Sequence, residues 1–305
     1  MKQVNNIKNI TIEYYNTCSL VETDPINKRY SHAKIDMTNL LENLQNKTVR
    51  ERSIYYNGEN LILSSINYNK STKLWELVFF KSRTATIPFI INSNGDSRQI
   101  ILKKDEMISE VLCAEYDAST KVLAMQRNVY AVGTRGLEDF FSSFLPYPLY
   151  LESIQTLNEE KKRIIKKSML KKFKLHIKNV KKDKNDSNDI KQYNKNTSIC
   201  KAIDSALAVD SAIINIEFSM GNSAKTINIA DEDFEVFQDL TNNNNVKCLE
   251  LGMVTDEHST MQITDFMDFR IHDTISIPFT KGKPIDVSEI LKKMTEKFRN
   301  NLYLK

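Results

Sequence analysis

The chemistry most legible in this sequence is a concentration of ammonium groups. Twelve basic residues stand between positions 161 and 184: Lys161, Lys162, Arg163, Lys166, Lys167, Lys171, Lys172, Lys174, Lys178, Lys181, Lys182 and Lys184. One acid, Asp183, opposes them, so the segment carries +11 while the rest of the chain carries −7. The overall +4 therefore conceals a strongly uneven distribution. A protein that is acidic elsewhere and cationic along one strip focuses its field where a polyanion can dock. Lysine predominates over arginine in the strip. An ammonium is a point charge suited to phosphate, whereas the guanidinium fork suits paired hydrogen bonds to base edges. The expected ligand is the phosphate backbone of duplex DNA, bound with little regard to sequence. Phe173 falls at a core position, which leaves few aromatics in the strip and argues against a stacking platform for single strands.

Other chemistry is sparse. Cys18, Cys113, Cys200 and Cys248 are too far apart for a CxxC or Cys/His metal site and read as free thiols of a reducing compartment. No GxxxxGK[ST], GxSxG, HExxH or glycine-rich dinucleotide motif occurs, and with seven glycines few loops can approach a phosphate closely. His32, His176, His258 and His272 lie in unrelated contexts. Asp231, Glu232 and Asp233 could be offered as metal ligands, but acids at the start of a helix answer its dipole. Asp256, Glu257 and His258 sit where a turn between strands is expected. The reading is of a non-enzyme with no catalytic residue, metal or cofactor. The start of the chain lacks an apolar signal segment, and no run approaches the ~20 apolar residues that span a bilayer, which predicts a cytoplasmic protein.

The elements that would carry the strip divide the chain in two. At 305 residues it exceeds the ~250 at which single cores usually stop growing. The expected fold class is α+β with two domains: residues 1–147, an N-terminal antiparallel β-meander with helices, and 148–305, a second mixed α+β domain. Pro146 and Pro148 mark the boundary. In the first domain, residues 36–45 read as a helix capped by Asp36 with Met37, Leu40, Leu41 and Leu44 on one face. Strands are expected at 53–56, 60–68, 73–82 and 87–91, and an Asn-Gly turn then leads into 98–102. A second hairpin joins 109–117 to 122–128, and 136–145 closes the domain as a helix with Leu137, Phe140, Phe141, Phe144 and Leu145 on one stripe.

In the second domain, 153–172 reads as a helix facing its core with Ile154, Leu157, Ile164 and Ile165. The period then changes to two: Phe173, Leu175 and Ile177 alternate with Lys172, Lys174, His176 and Lys178, a strand with one apolar and one cationic face. Residues 181–198 are polar and read as a loop. Helices are expected at 199–209 and 232–240, and strands at 212–218, 225–230, 246–254, within 259–271 and at 274–279. A final helix begins at Asp286, with Glu289 placed as in a capping box.

The segments KIDMTNLLENL, RSIYYNGENLIL, VLAMQRNVYAVGTRGLEDFFSSFL, AIDSALAVDSAIINIEF and VSEILKKMTEKFRNNL, in this order, resemble those of the RexA-like family of phage-exclusion DNA-binding proteins. The resemblance implies a homodimer with a globular domain and a swivel-like second one, DNA binding with little sequence preference, and a membrane effector as partner in anti-phage defence. One stretch departs from the family: FSMGNSAKTINIADEDF, basic there, offers only Lys225 here among several acids. The expected site is therefore the strip with Lys225 added. Two other classes compete with DNA binding. A peripheral scaffold would use the strip on anionic lipid or on the inner loops of a membrane protein, and would sediment with vesicles without retarding DNA. A metal-dependent nuclease would nick plasmid through a carboxylate cluster.

Overall fold

The computed structural model describes residues 6–24, 29–83, 88–104, 106–155, 163, 165, 168–178, 198–208, 213–221, 226–227, 231–242, 246–254, 261–280, 282–301 and 304. It is an α+β protein whose chain divides into two compact units, residues 1–152 with 272–305, and residues 153–271.

The first unit is built on a nine-stranded antiparallel sheet. Its strands are β1 (Asn6–Asp24), β2 (Arg29–Lys34), β3 (Ser53–Tyr56), β4 (Glu59–Asn69), β5 (Leu74–Ser82), β8 (Ser109–Asp117), β9 (Val122–Gln126), β10 (Tyr150–Ser153) and β15 (His272–Phe279). The main path runs β10-β1-β9-β8-β5-β4-β3, and β2 and β15 also pair with β1. At 19 residues β1 is the organising strand, and its partner changes along its length: Asn6–Glu13 pair with β15, Ile12–Asn16 with β9, and Cys18–Asp24 with β2. Sequence reasoning began the sheet at residue 53 and passed over β1, although Ile10, Ile12 and Tyr14 alternate at strand period.

Successive side chains of a strand point to opposite faces, and here each face has its own helices. Leu112, Ala114 and Tyr116 of β8, with Trp75, Leu77 and Phe79 of β5, join a core shared with α1 (Thr38–Gln45) and α2 (Thr134–Ser142). Aromatic rings lock α2 down, with Phe140 5.1 Å and Phe141 6.0 Å from Phe79 of β5. Asp36 acts one position earlier than a formal cap: its carboxylate accepts from the Thr38 backbone and from the Tyr116 hydroxyl. The opposite face receives the last helix, α5 (Val287–Asn300), through Ile290, Met294 and Phe298, the last 5.6 Å from the ring of Tyr14. Asp286 caps it by accepting from the Ser288 amide, as its position in the sequence predicts. A separate hairpin pairs β6 (Phe89–Ile91) with β7 (Ser97–Gln99) across the expected Asn-Gly turn.

The second unit has a four-stranded sheet in the order β12-β11-β13-β14, from β11 (Met169–Lys178), β12 (Ile213–Ser219), β13 (Val246–Val254) and β14 (Gln262–Asp265). Helices α3 (Ser198–Ala208) and α4 (Asp231–Asn242) pack on one face. Residues 272–305 were expected here and instead belong to the first unit, because β15 completes the ladder on β1 and α5 packs beside it. The division lies at Ser153 rather than at 147/148. The expected helix over 153–172 is strand at both ends, since Tyr150–Ser153 and Met169–Lys178 are extended; Arg163 and Ile165 are helical, and most of the middle lies outside the described residues. Of the strand expected at 225–230 only Thr226 and Ile227 are among the described residues, and Ile227 bridges Leu170. Among the described residues no helix is long and apolar enough to cross a membrane.

Candidate nucleic-acid interface

The interface is built on β11. Alternation sends Phe173, Leu175 and Ile177 into the core with Ile203, Val236, Phe237 and Leu249, and sends Lys172, Lys174, His176 and Lys178 to the face away from the helices. The two faces follow from period two: a buried ammonium would lose its hydration, so only the apolar set can meet the helices.

Its neighbours alter the meaning of the cationic face. Register places Lys174 opposite Glu217 on β12 and opposite Glu250 on β13. The Lys174 ammonium pairs with Glu250 at 3.8 Å, and Lys172 reaches diagonally to Glu217 at 3.0 Å. The His176 ring meets the Asn215 side-chain carbonyl through Nδ1. Burial, and then the Glu250 carboxylate, push the Cys248 thiol up to about 11, so it is no nucleophile at neutral pH. Lys178 is exposed at the end of β11 and has no carboxylate partner among the described residues. Lys171 sits at a bulge, where its carbonyl accepts from the Met220 amide. Gly252 makes the crowding on this face possible, since a Cβ there would stand 2.8 Å from both the Lys172 Cβ and the Met261 sulfur.

The structure thus brings Lys172, Lys174 and Lys178 together on one sheet face, with Lys171 beside them and Arg163 exposed in its helical turn. Lys161, Lys162, Lys166, Lys167, Lys181, Lys182, Lys184 and Lys225 lie outside the described residues. Sequence reasoning missed Glu217 and Glu250, whose carboxylates hold two of the lysines. The signal was present in the strand pattern of INIEF and KCLEL, but the register that aligns them with β11 is not a local property.

Among the described residues no group of three His, Cys, Asp or Glu side chains converges. Asp233 is buried on α4, its carboxylate 3.9 Å from the Cys200 sulfur. Residues 256–258 lie outside the described residues.

A family model, described as a family of unknown function (DUF6731), matches residues 5–305. The chain belongs to this family. Membership in DUF6731 covers both units and the basic strip together. No curated protein matches the sequence.

Proposed function

We propose that this DUF6731 protein binds duplex DNA through phosphate contacts from the second unit, using the cationic face of β11 and the lysines flanking it in sequence. The supporting observation is the alternation that puts Lys172, Lys174 and Lys178 on the sheet face away from α3 and α4, inside a segment of +11. Two of these lysines are held by Glu217 and Glu250, so a phosphate must compete with a carboxylate for each. Exposed ion pairs of this kind are worth about 0–1 kcal/mol, a barrier that DNA overcomes easily at low ionic strength. Binding should accordingly be weak at physiological salt and steeply salt-dependent, with log K falling by about 0.9 per log unit of salt for each phosphate neutralised. Action as a homodimer, with a membrane effector in anti-phage defence, belongs to the same proposal and rests on the RexA-like segments alone.

Fluorescence anisotropy with random duplex, single-stranded DNA and RNA across a salt series tests the reading. A variant with Lys166, Lys167 and Lys171 changed to Glu and Lys174 changed to Gln, which keeps a third carboxylate from standing between Glu217 and Glu250, should lose duplex retention while its thermal unfolding stays close to wild type. Equal retention of duplex by both proteins at low salt would reject the proposal.

A further inference from the structure

The sheet face covered by α5 carries a carboxyl group for which DNA binding has no use. Glu115 on β8 is 0% exposed. Its Oε1 accepts a hydrogen bond of 2.5 Å from the Thr295 hydroxyl of α5, and its Oε2 has no hydrogen-bond partner. Register sets it directly opposite Glu76 on β5, while on β9 it faces the uncharged Ala124. The Glu76 oxygens take the side-chain amides of Asn67 and Asn69 at 3.2 and 2.8 Å. A cleft of about 340 Å³, bordered by Asn69, Glu76, Thr295 and Glu296, brings open space to the edge of this contact.

An ionised Glu115 would be out of water, opposite a second carboxylate, and short of a donor on one oxygen. Arg299 of α5 bears on it from the other side, but its guanidinium donates to the Ser71 carbonyl at 2.9 Å. From β1, Tyr14 offers no relief, because its hydroxyl donates to Asp273 of β15 at 2.7 Å. Cys113, on the same strand as Glu115, has its thiol pushed up to about 12 by burial and by that carboxyl.

We propose that α5 is a proton-controlled latch: the helix closes on the sheet when Glu115 carries its proton, and loss of that proton releases the helix and uncovers Ile290, Met294 and Phe298. Burial, with Glu76 adding to it, raises Glu115 to about 8, against the pull of Thr295 and Arg299 in the other direction. When α5 lifts, the carboxyl meets water and its ordinary value near ~4.3 returns. Between these values the open form binds fewer protons than the closed one. Rising pH therefore favours opening, by about tenfold per pH unit, until the closed form also ionises near pH 8 and the effect levels.

Hydrogen exchange on the full chain from pH 5.5 to 9, corrected for intrinsic rates, reads this directly. Peptides from 287–300 should lose protection about tenfold per pH unit and level above about pH 8, while peptides from α1 and α2 stay unchanged. The Glu115→Gln variant has no proton to lose and should hold α5 closed throughout. Glu76→Gln removes the opposing charge and should move the levelling point to lower pH, which serves if Glu115→Gln does not fold. Protection of α5 that is insensitive to pH, a profile shared by Glu115→Gln, or equal loss in α1 and α2 would each overturn the latch.

Discussion

Glu217 and Glu250 decide how much of the basic strip is available to a ligand. Each holds one lysine of β11, at 3.0 and 3.8 Å, so the face reads as a mixed-charge ladder rather than a bare cationic surface. Cross-strand pairs of opposite charge contribute roughly 0.2–1 kcal/mol each, which fixes the side chains without committing them. Replacing both acids by glutamine leaves the shape of the sheet and frees Lys172 and Lys174. The double variant Glu217→Gln/Glu250→Gln should bind duplex more tightly at low salt and steepen the salt slope by up to about two phosphate equivalents, measured by the same anisotropy series. An unchanged slope would mean that β11 does not face the DNA and that the flanking lysines act alone. At this scale the sequence was half legible. Lysine positions and their alternation are local facts, whereas Glu217 and Glu250 stand 45 and 76 residues beyond Lys172 and Lys174 in sequence, and only register aligns them.

Among the elements, α2 shows how closely a helix is drawn onto the large sheet. Gly136 is buried, and a Cβ added there would strike the Val132 side chain and stand 3.0 Å from the ring of Tyr56 on β3. Alanine is the better helix former by about 1 kcal/mol, so local propensity alone favours the substitution. Packing outweighs it, because Val132 is a member of the buried cluster that holds Phe79, Phe140 and Phe141, and Tyr56 packs against that cluster. Gly136→Ala should destabilise the first unit by about 1–3 kcal/mol, read as a lowered urea midpoint with unchanged slope. Most of these elements were visible beforehand: α1, α2, the hairpin β8–β9 and the strand β11 all appear where period and turn chemistry put them. The N-terminal strand was not. Ile10, Ile12 and Tyr14 alternate with Thr11 and Glu13, but the pattern is lost from Tyr15 to Ser19, where β1 changes partners, both faces are buried, and polar Thr17 and Ser19 take core positions.

For the whole molecule, the decisive feature is that the chain leaves the first unit at Ser153 and re-enters it at His272. No local pattern in 272–305 states which sheet it will join; only the ladder from Asn6↔Phe279 to Glu13↔His272 does. The second unit is therefore an insertion, and its two ends lie side by side: the Ile271 amide donates to the Ile154 carbonyl at 2.7 Å, and Gln155 bridges Arg270. Termini this close can be joined by a short loop at little entropic cost. A chain in which residues 155–270 are replaced by a short Gly/Ser linker should keep β15 and α5 and unfold cooperatively on heating. A chain ended at Glu152 loses both, leaving the apolar side of β1 (Ile10, Ile12 and Tyr14) uncovered, and should show no cooperative transition by circular dichroism. Two contiguous domains would give the opposite ranking, with the simple truncation folding well and the internal deletion failing.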